Sequence, residues 1–289
     1  MIEKTVLSSL EEKAYEMRKL LVELCHRTGV LHIGGDLSSS DIMTALYFYK
    51  MKIDPANPKA EDRDRFIISK GHGGATQYLA MGMLGMIDLD ELFSTYRQLD
   101  SKFGMHPCSN VLPQLEVSTG SLGHGLPLAV GFALAAKMDR RRHRVYVLCG
   151  DGETNEGSVW EAAMAAAHYG LGNLVCIVDK NNLSLDGPTK DVMNMEPYAD
   201  KWRAFNWNVL ETDGNDMRLL CETLDAIPDV DSDRPTLIVA HTVKGKGISF
   251  MEDRTEWHAG TIPTDEMYRQ CLAELERSFS NGKRGDGHA

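Results

Sequence analysis

The stretch VYVLCGDGETNEGSVWEAAMAAAHYGLGNLVCIVDKNNL, residues 145–183, decides the fold. Val145-Tyr146-Val147-Leu148-Cys149 and Leu174-Val175-Cys176-Ile177-Val178 are unbroken apolar runs, as strands buried on both faces require. Between them, Gly157 to Tyr169 reads as a helix dense in small residues. Strand, helix and strand at this spacing form a parallel βαβ unit. Each strand runs straight into a polar turn: Gly150-Asp151-Gly152-Glu153 after the first, Asp179-Lys180-Asn181-Asn182-Leu183 after the second. Between Gly152 and Asn181 lie 28 residues, so Asp151 and Asn181 should stand side by side at one edge of the sheet. In open α/β sheets that edge is where ligands bind.

The flanking sequence extends the same pattern. Leu7, Leu10, Ala14, Met17, Leu21 and Leu24 keep helical spacing. A glycine-interrupted loop is expected from Gly29 to Ser40, then a helix over residues 41–50 that Pro55 and Pro58 terminate. Phe66 to Ser69 reads as a strand running into Lys70-Gly71-His72-Gly73-Gly74 and a helix to about Gly85. Residues 98–122 are loop-rich, and Gly123 to Met138 reads as a helix. Further strands are expected at Trp207–Glu211 and Thr236–Ala240, with a helix over Met217–Ala226 between them and a last helix over Thr264–Phe279. These elements predict a doubly wound α/β domain, a mostly parallel sheet with helices on both faces, over residues 1–279. The polar, Gly-rich residues 280–289 are expected to form a flexible tail.

Composition narrows the function. The chain has 289 residues, a net charge of −11 and only one basic run, Arg140 to Arg144. This argues against nucleic acid as a partner, and the run is expected to solvate a helix end. No apolar run approaches the ~20 residues that span a bilayer. The six cysteines have neither zinc-ligand nor CxxC spacing and fit a reduced, cytoplasmic setting.

A carboxylate beside an amide oxygen, with no nearby Cys or His, is a set of hard donors suited to Mg²⁺ or Ca²⁺ and phosphate oxygens. Gly150 and Gly152 let a diphosphate approach the backbone, and the following helix would offer free N–H groups. Either turn alone would be ordinary; together, each directly after an apolar strand, they make a specific signal.

The pair resembles the thiamine-diphosphate signature, GDG followed about thirty residues later by NN. That resemblance implies that Asp151, Asn181 and the Leu183 carbonyl hold Mg²⁺, with Ca²⁺ or Mn²⁺ able to substitute, and that Gly152 contacts the diphosphate. Four loop histidines narrow the class: His32, His72, His106 and His258, each near glycine, proline or tryptophan. With Thr119-Gly120-Ser121-Leu122-Gly123-His124-Gly125 and Lys244-Gly245-Lys246-Gly247, they are similar in kind and order to the loops of the transketolase family, over residues from about 10 to 275. The likeness implies that His72, Gly120, Ser121, Leu122, Lys244 and His258 line the cofactor, and that His32, His106 and His258 face substrate hydroxyls and move protons. Glu156 and Glu161 match acidic positions at the family's subunit interface; an ordinary exposed helix face would look the same.

The family's catalytic glutamate and most of its sugar-phosphate-binding residues come from a second domain not represented in this sequence. The chain thus resembles the N-terminal subunit of a split transketolase, expected to act only with a C-terminal subunit, in an α₂β₂ assembly on sugar phosphates. His124 stands where the family often has glutamine, and Ile33-Gly34-Gly35-Asp36 replaces a Pro-containing loop of full-length members. Both departures leave the sugar open. The alternatives are a chain of the 1-deoxyxylulose-5-phosphate synthase or 2-oxoacid dehydrogenase type, or a non-catalytic cofactor-binding regulator.

Overall fold

Five parallel strands form the centre of the molecule, a computed structural model that describes residues 2–285. They are β1 (Arg65–Ile68), β2 (Val145–Gly150), β3 (Leu174–Lys180), β4 (Asn208–Asp213) and β5 (Thr236–His241), in the order β1-β2-β3-β5-β4. The helices are α1 (Lys4–Thr28), α2 (Ile33–Ala45), α3 (Gly74–Met83), α4 (Leu89–Thr95), α5 (Gly125–Met138), α6 (Gly157–His168), α7 (Thr189–Val192), α8 (Tyr198–Ala204), α9 (Met217–Asp225) and α10 (Asp265–Gly285). None is long and apolar enough to cross a membrane, among the described residues.

Alternation along each strand divides the core in two. Phe66, Ile68, Tyr146, Leu148, Val175, Ile177 and Ile238 pack with α1, α2, α3, α9 and α10. Ile67, Val145, Val147, Cys149, Cys176, Val178, Leu237 and Val239 pack with α5, α6 and α8. Helices thus cover both faces, and every strand pairing is parallel. The basic run ends α5 at the surface, where Arg141 pairs with Glu61 and Arg142 with Asp229 and Asp231.

The segment expected to be a loop from Gly29 to Ser40 is mostly helix, since α2 begins at Ile33. Its glycines and serines serve burial rather than turning. A Cβ on Gly34 would lie 2.5 Å from the Trp257 carbonyl oxygen, so only glycine fits there. The Ser38 and Ser39 hydroxyls donate to the Gly35 carbonyl and Ser40 to that of Asp36, which satisfies polar groups in a helix buried on all sides. The short helices α4 and α8 lack the length for periodicity to reveal them; α4 is capped by the Asp88 carboxylate on the N–H groups of Asp90 and Glu91. Helix α10 continues past Phe279 to Gly285; of the expected tail, residues 286–289 lie outside the described residues.

Two glycines of α5 should respond to the same substitution with opposite sign. A Cβ on Gly125 would fall 2.4 Å from the Ser69 side chain, whereas one on Gly131 meets nothing within 4 Å. Gly125→Ala is expected to destabilise by roughly 1–3 kcal/mol and Gly131→Ala to stabilise by roughly 0.5–1 kcal/mol, measured as urea midpoints of the purified chain.

Candidate active site

The carboxyl ends of β1, β2, β3 and β5 meet at a buried ion pair. Lys70, just past β1, places its Nζ 2.5 Å from Asp179 Oδ2 in β3; the side chains are 1% and 0% exposed. Lys70 also donates to the Gly35 carbonyl at 2.8 Å, and Asp179 accepts from the Ser38 hydroxyl at 2.7 Å and from Thr242 beyond β5. Burial alone would raise the Asp179 carboxyl; Lys70 and the hydroxyl donors outweigh it and hold the group below its ordinary range.

Beside this pair stand the expected metal ligands. Asp151 Oδ2 accepts from the Asn182 N–H at 2.6 Å, so the turn after β2 grips the turn after β3. Asn182 takes a left-handed φ of 61°, which folds the turn back so that Asn181 Oδ1 accepts the Leu183 N–H at 3.1 Å. A carboxylate, an amide oxygen and a carbonyl thus gather on two adjoining strand ends. Lys244 Nζ donates to the Leu183 carbonyl at 2.9 Å, so positive charge is already drawn to this cradle. Burial, and then the nearby Asp179, raise the Asp151 carboxyl to about 6. A divalent cation would relieve both effects, and the donors fit Mg²⁺ with phosphate oxygens completing its shell. No cluster of three or more His, Cys, Asp or Glu able to hold a metal exists among the described residues.

Gly152 opens a 3₁₀ turn, Gly152–Asn155, and α6 begins only at Gly157. The helix starts at Gly157, as expected, and the Gly152 N–H donates to Asp151 Oδ1 at 2.8 Å. The residue that organises this turn is Glu153, which the sequence pattern did not single out. Its buried carboxylate accepts from the N–H groups of Gly123 at 2.9 Å and Gly150 at 3.0 Å, and from the Ser69 hydroxyl. It ties the ends of β1 and β2 to the loop over Gly120–Gly123. An acid directly after GDG, ahead of an apolar helix, was the signal available.

The histidines converge above this edge. The His32 ring lies 5.0 Å from His72, 5.6 Å from His258 and 6.5 Å from His106, and His72 lies 5.4 Å from His258. His32 is the N-cap of α2, and an antiparallel bridge between Leu31 and Gly260 pins the His258 loop beside it. Gly120, at φ 144°, packs against the His106 ring, while Gly71 abuts the Gly120 backbone so closely that a Cβ would clash at 2.6 Å. Ser121 and Leu122 lie on the exposed side of the same loop. Burial, reinforced by Lys70, Lys244 and the neighbouring rings, lowers His32 to about 4, His258 to about 3 and His72 to about 2. These imidazoles are neutral at pH 7. Burial also lowers Lys244 to about 8, so its ammonium persists and donates to His258 Nδ1 at 2.9 Å. Glu156 and Glu161 are exposed at the start of α6, and Glu156 packs against Gly123 of the glycine loop.

Removing one metal ligand should uncouple cofactor binding from the metal. Asp151→Ala and Asn181→Ala are each expected to weaken Mg²⁺-dependent thiamine diphosphate binding on the order of 100-fold, read by calorimetry; unchanged affinity in Asn181→Ala would contradict the assignment. A second expectation concerns acid. An imidazole depressed in the fold contributes stability that is complete above its unfolded pKa, about 6.5, and is lost as pH falls towards its folded value. His72→Gln should therefore flatten the loss of stability between pH 6.5 and pH 4.5 by up to about 1.4 kcal/mol per pH unit, measured by urea titration without cofactor.

Comparison with known proteins agrees with this geometry. Residues 10–273 match the family model described as transketolase, thiamine diphosphate binding domain. The chain is 44% identical over 282 residues to a protein of Phocaeicola vulgatus named as one subunit of an apulose-4-phosphate transketolase, covering 97% of this chain and 99% of that one. It is 39% identical over 268 residues to the 6-deoxy-6-sulfo-D-fructose transketolase subunit SqwG of a Clostridium species, covering 93% and 96%. The crystal structure of transketolase from Campylobacter jejuni superposes with a TM-score of 0.87 at 31% identity, over 95% of this chain but only 43% of that one. The chain belongs to the transketolase family, as the portion that carries its thiamine-diphosphate-binding domain.

Proposed function

We propose that the chain is the cofactor-holding subunit of a split transketolase, transferring a two-carbon ketol unit from a ketose phosphate to an aldose phosphate. The observation that carries this reading is the convergence of His32, His72, His106 and His258 beside a hard-donor cradle at one sheet edge. Bound thiamine diphosphate would supply the nucleophilic carbon that takes up and passes on the two-carbon unit. Asp151, Asn181 and the Leu183 carbonyl would hold its diphosphate through Mg²⁺, and His72, Gly120, Ser121, Leu122 and Gly152 would line it.

The chain's own contribution is to orient groups and move protons. Lys244 donates to His258 Nδ1, so the ring proton sits on Nε2, which can then donate to a substrate oxygen. His32 Nδ1 is buried with no partner among the described residues. Imidazoles kept neutral can both give and accept a proton near pH 7. A cofactor-binding regulator would have no use for these imidazoles. The names of the two relatives, an apulose phosphate and a sulfonated fructose, support an anionic sugar as substrate. Their designation as subunits supports a partner chain that supplies the activating glutamate, with the exposed Glu156 and Glu161 on the contact surface of an α₂β₂ assembly. The scattered free cysteines fit a cytoplasmic setting.

Affinity purification with thiamine diphosphate and Mg²⁺ is expected to recover a second chain, and the pair to transfer two-carbon units where the purified chain alone does not. His258→Ala in the pair should lower kcat by about 10²–10⁴-fold. Transfer by the purified chain alone would sink the two-subunit reading.

A further inference from the structure

Beneath the histidines lies a second buried acid that the chemistry above does not employ. Asp36 is on the first turn of α2, and it has no exposed surface. Its Oδ1 accepts from the Thr76 hydroxyl of α3 at 2.7 Å. Its Oδ2 is buried with no partner among the described residues. The ammonium that bears on it, Lys70, is committed to Asp179 at 2.5 Å and to the Gly35 carbonyl. Lys70 is thus matched by Asp179, and Asp36 has no ion-pair partner among the described residues. The other titratable groups bearing on it give no compensating positive charge. Asp179 of β3 is anionic, while the Tyr96 hydroxyl and the Cys25 thiol of α1 are themselves raised by burial, Cys25 to about 12. His32, one turn earlier, is neutral at pH 7. A carboxylate with a bare, dehydrated oxygen takes up a proton rather than remain charged.

The bond to Thr76 also has a position that matters. Helix α2 starts at His32 and α3 follows directly on the turn that carries His72, so Asp36 and Thr76 join the two elements that set the 5.0 Å ring spacing. We propose that Asp36 is a positioning residue held as a neutral carboxylic acid, pinning the His32 end of α2 to the His72 end of α3 through Thr76. The inference concerns this chain's own fold and is independent of which sugar is transferred.

Burial, offset by the Thr76 bond and the Lys70 charge, raises the Asp36 carboxyl from its ordinary range to about 7. The folded chain then keeps a proton that the unfolded chain gives up near pH 4, so this contribution to stability declines as pH rises from about 4 to about 7 and is flat above it. Asp36→Asn keeps the Oδ1 acceptor and has no proton to lose. Urea titrations of the full chain are expected to show the unfolding constant of the wild type, relative to Asp36→Asn, rising about tenfold between pH 6 and pH 8. A ratio that does not change with pH, with Asp36→Asn equally destabilised at both values, would overturn the neutral-acid assignment. Should Asp36→Asn fail to fold, infrared difference spectra of the wild type, loaded with Mg²⁺ and thiamine diphosphate, decide the matter. Loss of a protonated-carboxyl band between pH 6 and pH 8 supports the assignment, and no such band at either pH refutes it. The pinning is read separately by NMR of the His32 and His72 ring protons. Thr76→Val should shift both sets while Asp36→Asn shifts neither, and unchanged signals in Thr76→Val would refute the positioning role.

Discussion

The ion pair between Lys70 and Asp179 is the interaction on which the rest of this site is built. Two charges withdrawn this far from water repay their desolvation only if every remaining donor and acceptor is met. Here the partners come from four elements: the Gly35 carbonyl and Ser38 of α2, Lys70 after β1, Asp179 in β3 and Thr242 after β5. Loss of either ion would leave the other buried and unpaired, at a cost of about 3–5 kcal/mol. The same pair sets the local electrostatics. The Lys70 charge helps to depress the imidazoles of His32, His72 and His258, and Asp179, after burial, helps to raise the Asp151 carboxyl.

Charge neutralisation in this acidic protein is therefore local. Under the proposed function the Asp151–Leu183 cradle would hold a metal, while Lys244 donates to the Leu183 carbonyl and His32, His72 and His258 remain uncharged. That division suits a site that must bind an anionic cofactor firmly and still pass protons near neutral pH. Glu153 makes the division durable, because one buried carboxylate joins the GDG turn to the glycine loop that runs beside His72 and His106.

What could be read directly from sequence was what periodicity and adjacency encode. The apolar runs at 145–149 and 174–178 placed β2 and β3, and the turns after them placed Asp151 against Asn181–Leu183, as the Asn182–Asp151 bond bears out. The four histidines meet because each sits in a loop at the same sheet edge. Two things were hidden. Helix α2 was obscured because Gly34, Gly35 and Ser38–Ser40 are residues of turns, and only the closeness of Trp257 and Lys70 explains them in a helix. Glu153 and Asp36 were silent because burial of a single acid is a property of the packed fold, not of its neighbours in sequence.

The central claim, that one sheet edge holds the metal and diphosphate through Asp151, Asn181 and Leu183, is tested most directly by locating the ion. Crystals of the chain with thiamine diphosphate and Mn²⁺ in place of Mg²⁺ would give an anomalous peak at the metal. The account predicts that peak within about 2.2 Å of the Asp151 carboxylate, Asn181 Oδ1 and the Leu183 carbonyl oxygen. A peak bonded to other side chains, or cofactor bound with no metal at this edge, would contradict it.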